Sequence, residues 1–346
     1  MPSLSISQLG DLLTTTLSHF EVPDYTSLVT DLQDHPAAKQ LIKRSSMTIQ
    51  SGKDCVFKVR MNTGNSFANI SITDVDSVNI VDGFVTATVN WRKSKVDYAF
   101  YAEELTINRS PARLVDLIKA REQGALVDWI EGLENNFWRF PAATDTLTPF
   151  GVPYWVFKNS SEGLNGGIPT GYSDVAGISP TTYSRWKNYT AQYTAVTLDD
   201  FVRKARLMAE NTNFQSPVSA IPDKGKVGKR GYYTTISVIQ TLEDVADSRN
   251  DNLGPDVAKM DGTVLFRRMP VERVPRLEED TTNPMYQIDW GVFKVILLDG
   301  WWQKRTVLAP FPGRRNVTGV FLDSIYQTVC FNRRNLGVIA TGTSYP

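Results

Sequence analysis

The sequence predicts an α+β fold, in which helix and strands occupy separate parts of the chain. One apolar period of about 3.6 residues covers residues 110–138, whereas residues 47–107 and 264–340 show short alternating runs. The 346 residues are 41% hydrophobic and 21% charged, which is typical of a folded chain and not of a disordered one. The predicted order is an arm, a long β-hairpin, a long helix, a mixed centre and a β-rich end.

The N-terminal arm is predicted at residues 1–45. Four apolar side chains at helical spacing open it, and Asp31–Arg44 is expected to hold a second short helix. These pieces are too short to bury their own apolar faces. We therefore expect the arm to lie on another surface, and the rest of the chain to fold without it. The opening residues are Ile6, Leu9, Leu12 and Leu13.

The long hairpin is predicted at residues 46–108. Cys55–Met61 and Val85–Trp91 alternate apolar and polar side chains, and Tyr98–Ile107 does so less strictly. Turn-forming residues, including Asp82-Gly83, separate the runs. Because an isolated two-stranded ribbon is marginal in water, a hairpin of this length implies a partner surface.

The clearest helix opens the segment 109–150. Ser110 fits the N-cap position and Pro111 the first helical position, and Pro141 lies beyond the C-terminal end. Its length of about 40 Å follows from a rise of about 1.5 Å per residue. One face is apolar and is formed by Leu114, Ile118, Ala125, Trp129, Leu133 and Phe137.

The remaining chain divides into a mixed part, 151–264, and a β-rich part, 265–346. Thr197 and Asp200 form a capping pattern that opens a helix, and a further helix is expected at Ile236–Asp247. Strands are predicted at Val264–Phe266, Tyr286–Ile288, Val292–Leu298, Thr306–Leu308, Asn316–Phe321 and Thr328–Cys330.

An irregular stretch at Val152–Tyr193 is unusually rich in aromatic side chains, among them Tyr154, Trp155, Trp186 and Tyr189. Large aromatic side chains normally require burial or a partner. The stretch is therefore either a platform for a ligand or a surface that packs on another subunit. The arm and hairpin favour the subunit surface.

Catalytic chemistry is not indicated. His19 and His35 are the only histidines, both lie in the arm, and no metal-ligand spacing occurs. We expect no enzyme activity, no cofactor and no metal. The acidic runs Glu103-Glu104 and Glu278–Asp280 keep a glycosidase-like pair as an alternative. Lys224–Arg230 lacks the spacing of a phosphate-binding loop.

Charge and cysteine usage exclude further classes. Lys+Arg and Asp+Glu both number 37, so the net charge does not indicate a general nucleic-acid or membrane binder. Cys55 and Cys330 are expected to be free buried thiols. No signal peptide is expected at the N-terminus, and no apolar run is long enough to span a membrane.

Eight stretches of the sequence carry a resemblance to a known family. They are INRSPARLVDLIKAREQGALVDWIEGLENNFW (107–138), GVPYWVFKN (151–159), GGIPTGY (166–172), RWKNYTAQY (185–193), RNDNLGPD (249–256), FRRMPVERVP (266–275), YQIDWGVFK (286–294) and VCFNRRNLGV (329–338). These stretches resemble one branch of the major capsid proteins of tailed bacteriophages, which have the Hong Kong ninety-seven fold, and the resemblance covers most of residues 47–340. It implies an N-terminal arm at 1–45, an E-loop at 46–108, a spine helix of the peripheral P-domain within 109–150, an axial A-domain at 151–264, and strands at 265–346 that complete both domains.

The resemblance also implies a function and partners. The chain would self-assemble into hexamers and pentamers of an icosahedral phage head that encloses double-stranded DNA. Expected partners are a separate scaffolding protein, a portal and a cement protein, with only non-specific contact to packaged DNA and none to a membrane. The location would be the virion, and the host cytoplasm during assembly. We expect noncovalent assembly.

Subunit contacts are expected at two sets of residues. The first is the aromatic set Tyr154, Trp155, Trp186 and Tyr189. The second is a charged set on the hairpin, in which acidic residues precede basic ones. Its acidic tip is either solvated or placed on Arg267-Arg268 or Arg333-Arg334 of the adjacent subunit. The charged set is Asp74, Asp76, Asp82, Arg92, Lys93 and Lys95.

Two other functions remain open from the sequence. A carbohydrate-active β-rich surface protein would use the Trp and Tyr side chains as sugar platforms, with two carboxylates for catalysis. Another virion component, such as a tail or head-completion protein, is the second alternative.

Overall fold

The computed structural model describes residues 34–41, 47–61, 69, 82–101, 103, 111–214, 230–247, 264–267, 269–308, 311–313 and 316–345. The helices are α1 (Pro36–Leu41), α2 (Pro111–Trp138), α3 (Val152–Trp155), α4 (Arg203–Asn211) and α5 (Ile236–Asp247). A π-helical turn at Leu198–Val202 leads into α4, and 3-10 turns lie at Pro275–Glu279 and Arg333–Asn335.

Fourteen strands are described. They are β1 (Met47–Gln50), β2 (Cys55–Arg60), β3 (Phe84–Val89), β4 (Arg92–Tyr101), β5 (Gly163–Gly166), β6 (Asn188–Gln192), β7 (Arg230–Thr234), β8 (Leu265–Phe266), β9 (Met269–Arg273), β10 (Met285–Asp289), β11 (Phe293–Leu298), β12 (Lys304–Leu308), β13 (Val317–Cys330) and β14 (Gly337–Ala340).

A five-stranded sheet is built around β13. Strand β4 runs antiparallel to β13, from Val317 opposite Tyr101 to Tyr326 opposite Arg92. Strands β11 and β12 also pair antiparallel with β13, at residues 326–330 and 319–323, and β1 extends the sheet in parallel beside β11. Helix α2 packs on β4 and β13 through Phe100, Ile118 and Val320, all fully buried.

A seven-stranded sheet has the order β5-β6-β14-β10-β7-β9-β8. The pairs β6–β14 and β7–β9 are parallel, and the others are antiparallel. Helices α4 and α5 contribute to its apolar core through Ala205, Met208, Val238 and Ile239. A Cβ at Gly337 of β14 would come within 2.6 Å of the Met208 sulfur, so glycine lets α4 approach the sheet closely.

Helix α2 confirms the clearest prediction from the sequence. Ile118, Ala125, Trp129, Leu133 and Phe137 are all buried, and the helix begins at Pro111. The apolar period therefore did mark the core-facing side. Ser110 and the side chain of Leu114 lie outside the description.

The hairpin contains fewer strands than predicted, because only β2 and β3 belong to it. Strands β2 and β3 pair from Cys55 opposite Val89 to Arg60 opposite Phe84 as a separate two-stranded sheet, while β4 joins β13. The base of this hairpin also packs on its own subunit. The Phe57 ring lies edge-on to Phe331 at 5.2 Å. Apolar partners within the chain therefore stabilise the base without a neighbour.

Strand β13 is longer than the two strands predicted for it. Ser324 and Gln327 interrupt the apolar pattern, but both are buried with hydrogen-bond partners. Ser324 Oγ accepts from Gln303 N at 3.1 Å, and Gln327 Oε1 accepts from Phe150 N at 2.8 Å. Because long-range partners satisfy these polar groups, the strand continues through them.

The end of the arm belongs to the core, which corrects the expectation that residues 1–45 lie entirely on another surface. Ala37 and Leu41 of α1 are buried in the main core. Glu134 of α2 is fully buried and accepts from Ala37 N at 3.2 Å and Ala38 N at 2.7 Å. Burial raises the pKa of Glu134, while these hydrogen bonds act in the opposite direction.

Candidate functional site

The aromatic side chains fold inward, which contradicts the expected subunit contacts of Tyr154, Trp155, Trp186 and Tyr189. Trp155 and Tyr189 are 0% exposed, and Tyr154 and Trp186 are 2% exposed, in the isolated subunit. No neighbour can bury side chains that their own subunit already covers. The irregular backbone misled the prediction, because it concealed a core made from turns instead of regular elements.

Arg333 explains how this irregular stretch is held. Its guanidinium is fully buried between β13 and β14 and donates to main-chain oxygens of Trp155 and Trp186 at 2.8 Å. It also donates to Gly167 O at 3.0 Å and Asn188 Oδ1 at 3.1 Å. One cation thus joins the segments around residues 155, 167 and 187.

Burial lowers the pKa of Arg333 to about 10, so the group stays charged at neutral pH. All its acceptors named above are neutral, and the cation therefore serves as a rigid donor fork for carbonyl groups. Sequence reasoning placed Arg333 on the surface that would receive a hairpin tip. Its complete burial contradicts that position.

Ring stacking leaves little of the stretch for a ligand. The Phe150 and Tyr154 rings are stacked at 3.8 Å, and Tyr172 meets Tyr154 edge-on at 5.0 Å. Tyr154 Oη accepts from Ala176 N at 3.0 Å, and Trp186 Nε1 donates to Val175 O at 3.1 Å. The polar atoms of these side chains are engaged inside the subunit, which argues against a sugar platform at Tyr154 and Trp186.

A buried ion pair fixes the C-terminal residues. Lys158 Nζ donates to Asp280, and also to Thr282 Oγ1 and Ser344 O at 2.8 Å. It lies 4.3 Å from the centre of the Tyr345 ring. Burial lowers the pKa of Lys158, while Asp280 acts against that shift. The pair therefore ties the chain end to the segment after α3.

The acidic run at 278–280 does not form a carboxylate pair. Glu278 is bound to Arg273 at 2.6 Å, Glu279 to Arg276, and Asp280 to Lys158. Each carboxylate is neutralised by its own cation. This arrangement disfavours the acid–base pair that a glycosidase requires.

The charged set does not share one hairpin, which corrects the prediction. Asp82 lies just before β3, whereas Arg92, Lys93 and Lys95 belong to β4, which pairs with β13. Asp82 is exposed, and its Oδ1 accepts from Phe84 N at 3.2 Å, whereas Asp74 and Asp76 lie outside the described residues. Arg92 donates to Thr146 O of its own subunit. Lys93 is exposed, and Lys95 is 3.5 Å from Asp97. A role of this set between subunits remains a prediction.

The arginines predicted to contact the acidic hairpin tip of a neighbouring subunit differ in their burial and in their ion pairs. Arg267 pairs with Glu210 at 2.6 Å, and Arg333 is buried. Arg334 is half-buried, with its guanidinium 3.8 Å from the centre of the Phe214 ring. Arg268 lies outside the described residues. Of the three that are described, only Arg334 combines some exposure with the lack of an ion pair.

The hairpin has an exposed outer face that the sequence analysis did not identify. Val56 is 41% exposed and Phe84 is 60% exposed, although the opposite face, with Cys55, Phe57, Ala87 and Val89, is buried. These two apolar side chains occupy positions at which the alternating pattern of the strands otherwise places polar residues. That exception was the signal that could have identified the free face.

No helix in the described part of the chain is both long and apolar enough to cross a membrane. No three His, Cys, Asp or Glu side chains within the described ranges come together as a group that could hold a metal ion.

Comparisons with known proteins reveal similarity only at the level of structure. No family model and no curated protein matches the sequence. The capsid asymmetric unit of cyanophage A-1(L) is similar with a TM-score of 0.64 and 15% identity, over 96% of this chain and 98% of that one. The capsid of a native GTA particle is similar with a TM-score of 0.57 and 10% identity, over 92% of this chain and 95% of that one. A chain of Microbacterium phage Oxtober96 is similar with a TM-score of 0.53 and 11% identity, over 94% of this chain and 97% of that one.

Proposed function

From the Hong Kong ninety-seven-type capsid fold that this chain has, we propose that it is a major capsid protein. It would form the hexamers and pentamers of an icosahedral phage head around double-stranded DNA. The observation that carries this proposal is the similarity to the cyanophage A-1(L) capsid chain over nearly the full length of both chains.

Within this proposal, each of the two large sheets is assigned to one of the two capsid domains. We assign β4, β12, β13 and α2 to the P-domain, because the helix packs on that sheet. We assign the seven-stranded sheet, including β14, to the A-domain. The C-terminal residues would thus complete both domains, β13 in the first and β14 in the second. The E-loop would be the hairpin formed by β2 and β3.

The outer face of the hairpin supports assembly through a neighbour. Phe84 and Val56 would lose exposed apolar surface there, at a gain of about 25 cal/mol per Å² buried. Contacts between unlike surfaces of identical subunits close into rings when the rotation permits. Its partners would be a scaffolding protein, a portal and a cement protein. The protein would catalyse no reaction, and it would be located in the virion.

Electron microscopy and mass measurement of the expressed protein test this proposal. We expect hexamers, sheets or closed shells, formed alone or with a co-expressed scaffolding protein. A compact monomer at high concentration under both conditions would contradict it. Binding of that monomer to sugars would favour the carbohydrate-active alternative.

The acidic residues of the hairpin give a separate prediction about assembly. Residues 61–91 contain Asp74, Asp76 and Asp82 and no lysine or arginine. Changing all three to Asn should slow assembly and make it less sensitive to salt, because screening acts on exposed charges. A single exposed ion pair contributes only about 0–1 kcal/mol, so subunit melting should hardly change.

Light scattering across a sodium chloride series measures that effect. The Asp82→Asn change keeps a side-chain oxygen that can accept from Phe84 N, so the local turn should persist. Assembly of the triple variant at the wild-type rate over the whole series would mean that the acidic residues are merely solvated.

A further inference from the structure

A small surface between β6, α4 and the 3-10 turn before β14 gathers positive charge. The guanidinium of Arg334 lies over the Phe214 ring, with 3.8 Å from its central carbon to the ring centre. Arg185 is exposed and close enough to act on Arg334 electrostatically. We call Arg185, Phe214 and Arg334 the arginine patch.

The geometry of the turn explains why Arg334 points to this surface. Its neighbour Arg333 is directed inward and fully buried. Arg334 N donates to Asn332 Oδ1 at 3.1 Å, and this bond caps the 3-10 turn. Burial, followed by the charge of Arg185, lowers the pKa of Arg334. The folded chain therefore keeps two like charges together at a free-energy cost.

Of the elements around the patch, α4 carries one carboxylate, Glu210, and Glu210 is already paired with Arg267 at 2.6 Å. Residues 175–198, 211–222 and 324–346 contain no Asp or Glu. Within the described part of the chain, neither Arg185 nor the guanidinium of Arg334 forms an ion pair. Arg334 Nε is buried and has no acceptor there. The positive charges of Arg185 and Arg334 are therefore not neutralised by an ion pair within the described residues, and an anion from outside would be attracted to them.

We propose that the arginine patch binds the phosphate backbone of nucleic acid. Guanidinium groups match phosphate oxygens with paired donors, and stacking on an aromatic ring holds such a group in place. Arg334 would contact one phosphate through its terminal nitrogens, and Arg185 would contact a neighbouring phosphate. Contacts of this kind recognise the backbone and not the base sequence. In a capsid protein this ligand would be the packaged DNA, so that biological role rests on the proposed function.

The charge-removing variant Arg185→Gln/Arg334→Gln tests the proposal on the full chain. The probe is a short fluorescein-labelled DNA duplex of mixed sequence, and anisotropy is measured across a sodium chloride series. Each lost phosphate contact should reduce the slope of log K against log salt by about 1, so the double variant should lose about 2. Circular dichroism melting should stay close to wild type, since both side chains have solvent access.

A matched control removes the same charge elsewhere. Lys39 and Lys204 are paired with Asp34 and Asp200, so Lys39→Gln/Lys204→Gln should leave the slope within about 0.5 of wild type. The variant Arg334→Lys keeps the charge but loses the planar fork, so it should weaken binding with little change in slope.

Three outcomes would overturn the phosphate assignment. They are equal salt slopes for the wild type and the double variant, an equal loss in the control, and displacement of the duplex by polyglutamate at matched charge concentration. The last would mark a site for carboxylates. Particle formation is scored separately by microscopy. DNA binding that depends on the patch in a protein that never forms particles would refute the capsid function and leave the site intact.

Discussion

Replacing Arg333 with Leu should destabilise the subunit by about 4 kcal/mol, which is the loss expected when a buried charged group is removed from a hydrogen-bonded network. The leucine would leave carbonyl groups of Trp155, Trp186 and Gly167 and the amide oxygen of Asn188 without their donor. Urea unfolding monitored by tryptophan fluorescence measures the loss, because Trp155 and Trp186 lie beside the guanidinium.

Two variants make this result specific. Arg334→Leu changes the same residue type one position later, where the side chain is half-buried, and should cost no more than about 1 kcal/mol. Arg333→Lys keeps a cation but cannot reach several acceptors at once, so it should recover less than half of the loss. Equal stability of Arg333→Leu and Arg334→Leu would show that the hydrogen bonds around Arg333 contribute little.

Arg333 also shows what the sequence could and could not predict. Its neighbours in the chain read as a polar turn, FNRRN, and two adjacent arginines suggest an exposed basic surface. The choice that buries one and exposes the other depends on carbonyl groups 178 and 147 residues away in the sequence. Residues paired over such distances leave no local period in the sequence, so pattern reasoning could not find them.

Elements with a local cause were predicted well. Helix α2 follows its apolar period, α5 has the predicted bounds, and Thr197 caps the next helical turn by accepting from Asp200 N at 3.3 Å. The errors concern long-range pairing. Strand β4 continued the alternation of the hairpin, and nothing local indicated that β13 would be its partner. The inward position of Tyr154 and Trp155 was missed for the same reason.

Truncation of the arm should separate two parts that the sequence analysis treated as one. Deleting residues 1–33 should change the free energy of unfolding by less than about 0.5 kcal/mol, because α1 and its contacts with α2 remain. Deleting residues 1–45 should cost about 3 kcal/mol, since burial of Ala37, Ala38 and Leu41 is lost together with two hydrogen bonds to Glu134.

A double-mutant cycle isolates the contact between α1 and Glu134. In the full chain, Glu134→Gln replaces one carboxylate oxygen with an amide group that cannot accept from α1, which should cost about 1–3 kcal/mol. In the chain that lacks residues 1–45 those donors are absent. The same substitution should then cost much less, and the difference measures the coupling.

Particle yield supplies the second readout of the truncations. If residues 1–33 clamp a neighbouring subunit, their deletion should reduce the yield of particles while the melting of the isolated subunit stays unchanged. If melting and yield fall together for the deletion of 1–33, that segment contributes to the fold of its own subunit. If neither falls until residues 34–45 are removed as well, α1 is the only part of the arm that matters, and its role is to cover the buried carboxylate of Glu134.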